Sequence, residues 1–223
     1  MSGMQQRKTY VRLSEDQRKQ ALVQSALLLV SEGGFQAASV RAIADRAGVT
    51  AGLIRHYFGS KEALMRHAYE TLMLDMTTRA DAATVPAITG TDGPYVKIAA
   101  YVAASLRPPV LDIDRVSLWA GFINEVRRDP DVRAVHRQTY LGFRDRLERL
   151  IADLPREATP SRCRADAVAC NGVIDGLWLE GSILSDDFAR GEVEEIGLRA
   201  VEAILGVKLP RDPDGVSQWQ MAE

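Results

Sequence analysis

Apolar positions recur along this chain every three to four residues and no segment alternates with period two, so the elements it predicts are helices. The first starts at Ser14, with Glu15 and Asp16 in its first turn, where the helix dipole favours anions. Ala21, Leu22, Ala26, Leu28, Leu29 and Val30 form its core-facing stripe, and Gly33-Gly34 ends it. Ser39 is the expected cap of a short helix from Val40 to Ala47, stopped by Gly48. Thr50 is the expected cap of another, running to about Tyr57. Gly59-Ser60 break the pattern, and Ser60 opens a longer helix towards Ala80. Residues 84–94 are rich in Pro, Gly and Thr and read as a loop. Further helices are predicted near 95–106, 113–128, 130–153, 161–184 and 189–206, separated by Pro108-Pro109, Asp129-Pro130 and the stretch from Pro155 to Pro160. From Pro210 the periodicity stops, and the tail is expected to fray, with Trp219 as its one large anchor. The fold class is all-α.

The stretch from Ser39 to Met65 carries the most chemistry. Two helices of about two turns each meet at Gly48, a residue that tolerates the positive φ of a sharp reversal. Ala44 and Ile54 are apolar where the two must approach closely. That is the shape of a helix-turn-helix, whose second helix fits the major groove of DNA. The exposed face of the second helix then carries Thr50, Ala51, Arg55 and His56. Arg55 is the expected base reader, because a guanidinium donates two parallel bonds to guanine O6 and N7. Ser39 and Arg41 before the first helix, and Tyr57 and Lys61 after the second, are placed to hold phosphates. Tyr57 has core filling as its alternative, and His56 a surface or capping position. Phe58 is read as core.

Charge supports this division. Residues 1–80 hold 11 Lys+Arg against 7 Asp+Glu, whereas the remainder holds 17 against 23, so a net charge of −2 conceals a basic first part on an acidic body. A polyanionic partner is expected for the first part alone. Apolar residues at 46% and charged residues at 26% fit a globular chain. No apolar run approaches the roughly 18 residues of a membrane helix, and the start MSGMQQRKTY is not that of a signal peptide, so no membrane partner is expected. Two cysteines make no disulfide framework and no zinc pattern, which suits a reducing compartment, the cytoplasm. There is no phosphate-binding glycine loop and no nucleophile elbow, and His56, His67 and His136 fall on different predicted helices. No catalytic residue, metal or cofactor is expected.

Ala42-Ile-Ala44, Ala47-Gly-Val-Thr50 and His56-Tyr-Phe-Gly-Ser-Lys-Glu-Ala-Leu64 resemble the DNA-binding module of the TetR family of bacterial repressors, a likeness that covers residues 17–65. The resemblance implies a homodimer in which each subunit has an N-terminal three-helix reader and a larger helical body that senses a small molecule. It also implies a palindromic operator of double-stranded DNA, released when ligand separates the two readers. The domains expected are a helix-turn-helix domain over residues 1–60 with a flexible arm at 1–13, a ligand-binding and dimerisation domain over 61–209, and the tail 210–223. Ala51 and Leu53 stand where many members carry Lys and a smaller residue, and Arg55 where many carry an aromatic, so the operator does not transfer.

The body is similar, more narrowly, to the choline-responsive BetI-type repressors, through Leu118-Trp-Ala-Gly-Phe122, Arg144 to Leu150, Leu154-Pro-Arg-Glu157 and Ile174-Asp-Gly-Leu-Trp-Leu179. The residues point to a pocket on their own account. Asn171, Asp175, Trp178 and Ser182 follow at steps of four, three and four, on one face of one helix. A buried carboxylate wants a cation or donors, and an indole face attracts quaternary ammonium. Trp119 and Phe122, one turn apart, complete an aromatic cage, with Tyr101 a further candidate. Alternatively, Asp175 pairs with an arginine of the body and both Trp residues fill core. Ile123 stands where the BetI pattern has a second Trp, and Glu125 and Glu180 add carboxylates, so an amine or polyamine is as reasonable an effector as choline.

On the opposite face of that helix lie Cys170, Ile174, Leu177, Gly181 and Leu184. With Val193, Ile196, Gly197, Ala200, Val201 and Ile204 of the last helix, they are expected to form the dimer's four-helix bundle. Two rival readings stay open. A redox sensor would use Cys163 and Cys170, which lie about 10 Å apart along one helix, too far for an intrachain bridge. A constitutive DNA-binding protein would have no effector at all.

Overall fold

The computed structural model describes residues 14–82 and 93–211. The expected arm, most of the Pro/Gly/Thr segment and Trp219 lie outside the described residues. Within them every regular element is helical, as the periodicity predicts: α1 (Glu15–Ala37), α2 (Val40–Ala47), α3 (Gly52–Phe58), α4 (Lys61–Ala82), α5 (Gly93–Ser105), α6 (Ile113–Arg128), α7 (Pro130–Ala152), α8 (Pro160–Ile183) and α9 (Glu192–Leu205), with a 3-10 turn at Ser185–Asp187. The chain divides into two compact units, one through Ala68 and one from Tyr69.

Helix starts follow the capping chemistry of the sequence. Ser14 and Gln17 form a reciprocal capping box on α1, satisfying two N–H groups that the helix leaves unpaired. Ser39, Asp112, Asp129 and Thr159 each accept a backbone N–H at the start of α2, α6, α7 and α8. Pro130 and Pro160 occupy first-turn positions, where their missing N–H costs nothing.

Gly33-Gly34 breaks the regular helix of α1 as expected, Gly34 taking φ 68°, and a further turn continues to Ala37. Three local expectations are corrected. Leu28 is half exposed, whereas Val23 and Leu27 are buried, because the stripe is centred one residue away from where the leucine run suggested. Thr50 does not cap α3: Ala51 holds the cap position without a side-chain bond, and Leu53 N–H donates to the Thr50 carbonyl instead. Helix α5 starts at Gly93, inside the stretch read as loop, since Gly and Pro are both acceptable in a first helical turn.

In the first unit α1 packs on α2 and α2 on α3. Leu22, Ala26, Val30, Ile43, Ala44, Ile54, Leu64 and Met65 are buried, so the two apolar residues chosen for close approach, Ala44 and Ile54, are both internal. In the second unit α8 packs between α7 and α9, with α5 against both α7 and α9. Its core joins Ile98, Tyr101, Val102, Leu147, Leu150, Ile151, Cys170, Ile174, Val193 and Val201.

This core corrects the expected dimer face. Cys170, Ile174, Gly181, Val193, Gly197 and Val201 are internal to the chain, buried where α8, α9 and α5 meet. A Cβ on Gly197 would come within 2.1 Å of Leu106 Cδ1, which shows how closely α9 approaches the end of α5. Of the residues expected at that face, Leu184 and Ile196 are exposed. Two apolar faces on one helix cannot be ranked from periodicity alone; the one with more large side chains turns inward.

Candidate functional site

The helix-turn-helix is built as its glycine requires. Gly48 adopts φ 66° and ψ 31°, and its N–H donates to Ala44 and Asp45 carbonyls, closing α2 and reversing the chain. Ile54 and Ala44 then anchor α3 and α2 by their inner faces. The outer face of α3 presents Arg55 and His56, with Thr50 and Ala51 just before it, all exposed. Arg41 is almost wholly in solvent, its guanidinium 3.7 Å from Asp45, a loose pair that a phosphate can replace. Ser39 is exposed; its hydroxyl accepts Ala42 N–H at 3.1 Å, which caps α2 and leaves the O–H itself able to donate to a phosphate.

Tyr57 and Lys61 are half-buried. The Tyr57 hydroxyl accepts from Arg18 at 3.3 Å, and Lys19 Nζ stands 5.4 Å above its ring. Tyr57 thus gathers two cations of α1 beside the outer surface of α3, and neither cation was singled out in the sequence. Ser60 caps α4 through Ala63 N–H. Phe58 is half-buried with its ring 5.7 Å from that of His67.

The second unit holds a cleft of about 50 Å3. Met73, Met76 and Thr77 of α4, Trp119 of α6, Tyr140 and Phe143 of α7, and Ile174, Asp175 and Trp178 of α8 supply most of its wall. Three of the six expected ligand residues therefore meet there: Trp119, Asp175 and Trp178. The two indoles stand edge to face at 5.4 Å, and Trp178 Nε1 donates to the Val110 carbonyl at 3.0 Å, which fixes its ring.

The other three candidates lie elsewhere. Asn171 is buried behind the wall, its amide donating to Asp175 Oδ2 at 2.9 Å and to the Tyr140 hydroxyl at 2.6 Å, so it supports the carboxylate without lining the cleft. Phe122, one turn from Trp119 but rotated away, is fully buried and stacks on Tyr69 at 4.4 Å. Tyr101 is core, its ring against Phe143 and its hydroxyl donating to the Phe143 carbonyl at 3.3 Å. Ser182 opens on a different cleft, of about 380 Å3, beside residues 106–113 and 185–194.

Sequence reasoning missed Tyr140, the residue that organises the acid. Its hydroxyl donates to Asp175 Oδ2 at 2.5 Å. Burial, then the hydrogen bond to Asp175, pushes the phenol up to about 12. Burial also holds the Asp175 carboxyl above its usual range, against the opposing bonds from Tyr140 and Asn171. Among the described residues no arginine partners Asp175; a phenol and an amide do. The i, i+4 pair Asn171 and Asp175 was visible in sequence, but its third member comes from α7, and nothing local pointed there.

Cys163 and Cys170 are free and buried in the core, and burial pushes the Cys170 thiol up to about 12, far from a reactive thiolate. Among the described residues no cluster of three His, Cys, Asp or Glu could hold a metal, and no helix is long and apolar enough to cross a membrane.

A three-helix first unit with an exposed arginine on the second helix of a helix-turn-helix, followed by a helical unit with its own cleft, defines a DNA-binding transcriptional regulator. The chain belongs to the TetR family of bacterial regulatory proteins, whose model matches residues 22–68, and its body to the C-terminal domain of BetI-type transcriptional repressors, matched over residues 94–206. It is 27% identical over 175 residues to the HTH-type transcriptional regulator BetI of Burkholderia thailandensis, covering 77% of this chain and 85% of that one. It is 29% identical to the BetI of Paraburkholderia phymatum, over 77% and 84%. Among solved structures, a transcriptional regulator from Pseudomonas aeruginosa superposes with a TM-score of 0.77 at 27% identity, over 87% of this chain and 93% of that one. A regulator from Saccharomonospora viridis, solved in complex with choline, shares the fold with a TM-score of 0.66 at 17% identity, over 86% and 97%.

Proposed function

We propose that this regulator is a repressor that binds a palindromic operator as a homodimer and releases it when a small cation of the choline or amine class enters the cleft of the second unit. The reading divides the chain into a DNA-binding domain and a ligand-binding and dimerisation domain, acting by binding alone, without catalysis. The observation that carries it is Asp175: a carboxylate facing a cleft walled by Trp119 and Trp178, held by two neutral donors and, among the described residues, paired with no arginine. A carboxylate held only by neutral donors in an apolar wall is costly, and a cation with an apolar surface both pairs the charge and lies on the indoles. The choline complex of a protein with the same fold makes choline the first compound to test.

Dimerisation is assigned to the outward face of α8 and α9. Val168 and Ile183 of α8, Leu184 beyond it and Ile196 of α9 are large apolar side chains left in solvent. Gly172 and Gly176 lie between them on α8 with open space above their Cα atoms, so a second helix can approach closely. In the DNA-bound dimer the two copies of α3 stand about 34–36 Å apart, one turn of DNA.

Tryptophan fluorescence during titration with choline, then with mono- and polyamines, tests the reading. A saturable change that is lost in Trp178→Phe and strongly weakened in Asp175→Asn supports it. A response to spermidine but not choline keeps the cleft and changes the effector. Silence throughout the panel, with operator binding intact, makes the protein a constitutive DNA-binding module.

A further inference from the structure

The cleft is too small for the ligand its chemistry fits. A water needs at least about 10–15 Å3 of such space, so 50 Å3 admits only a few atoms, and an alkylated amine must push the walls apart. Close-packed interiors transmit such a push instead of absorbing it, unless the side chain displaced is itself adaptable. Met73 and Met76, the two methionines of α4 in the wall, are adaptable and yield by changing rotamer. Trp178 is tied to the Val110 carbonyl.

Tyr140 is different. Its ring lines the cleft and stacks on His136, centroids 5.1 Å apart and planes within 24°. His136 in turn lies nearly parallel to Tyr69, and His136 Nδ1 and the Tyr69 hydroxyl share a hydrogen bond of 2.7 Å. Tyr69 is fully buried on α4 and rests against Phe122. Three rings, joined first by a stack and then by an edge-to-edge hydrogen bond, therefore connect the cleft to α4, the helix that begins at Lys61 directly after the helix-turn-helix.

We propose that Tyr140, His136 and Tyr69 are the positioning residues that convert expansion of the cleft into displacement of α4, and hence into operator release. The inference rests on the effector reading above and adds its route. The Tyr140–His136 stack carries a push from the cleft wall to the imidazole, and the Tyr69–His136 hydrogen bond passes it edge to edge to α4. Neither Tyr69 nor His136 lines the cleft, so both are open to change without altering the ligand's own contacts.

The test compares full-length wild type with Tyr69→Phe, which removes only a hydroxyl, and His136→Gln, which removes the stack. Operator duplex is obtained by selection from a random pool with the wild-type protein, and choline is the probe. Choline affinity, read by tryptophan fluorescence, and operator affinity without choline should stay within about two-fold of wild type in both variants, while the weakening of operator binding by saturating choline should fall at least about five-fold, from a typical coupling of 5–150-fold. The reciprocal effect of operator on choline affinity should shrink by the same factor, which mere loss of stability would not produce. Thermal melting confirms that each variant is folded. Unchanged coupling in both variants overturns the relay and points to the direct route through Met73 and Met76. Loss of choline affinity in proportion to lost coupling overturns it as well. A wild type that releases the operator with neither choline nor any amine of the panel overturns the effector reading itself, and the relay with it.

Discussion

At Asp175 a single proton decides both ligand binding and stability. Burial raises the carboxyl's pKa, so over an interval above the usual carboxylate range the folded chain keeps a proton that the unfolded chain has released. Stability contributed by this group is present below the unfolded value and is lost as pH rises through the folded one. Choline affinity moves the other way, because the cation is held by the carboxylate and not by the acid. Calorimetric titrations from the usual carboxylate range upward in pH should show affinity rising and then levelling. Asp175→Asn should flatten that profile and weaken choline by about 1.5–3 kcal/mol, ten- to a hundredfold. On the DNA side, Arg55→Ala should cost about 1–3 kcal/mol and relax preference at one base pair, whereas Lys61→Ala should weaken all sequences alike and lower the salt slope by about 1. Competition binding against single-base operator variants, at several salt concentrations, separates the two.

Among the elements, the α2–α3 turn depends on backbone conformation and not on packing. Gly48 sits in the left-handed region, with open space where a Cβ would go, so a substitution there meets no clash and pays only in backbone strain. Gly48→Ala should destabilise the chain by about 1–2 kcal/mol, read as a shift of the denaturant midpoint. The opposite case is Gly176 on α8, exposed and unobstructed on a helix whose inner face is core. Gly176→Arg should leave the melting of the isolated chain unharmed but turn a dimer into a monomer in sedimentation. An unchanged dimer would place the interface elsewhere. Element boundaries were legible to within two or three residues, since caps and prolines act locally: Ser14, Ser39, Asp129-Pro130 and Pro160 start helices wherever they occur with the right neighbours. Thr50 misled because the tight turn after Gly48 leaves the cap position to Ala51, one residue later.

For the whole molecule, the sequence by itself determined the helical class, the helix-turn-helix with its outward Arg55, and the presence of an acid and two indoles suited to a cation. These follow from interactions within about one turn, or from side-chain chemistry that no packing changes. Tertiary structure alone decided which residues share a cleft. Trp119 and Phe122 are three apart and could both have faced it, yet a 60° difference around α6 sends Phe122 to Tyr69 and Trp119 to Trp178. Tyr140 reaches Asp175 across 35 residues of chain, and Tyr69 reaches His136 across 67. The apolar periodicity of α8 and α9 could not say which face was core, because burial within the chain and burial against a second copy demand the same side chains. Contacts between distant helices depend on the packing of all of them at once, and that information is spread over the whole sequence, not written in any one segment.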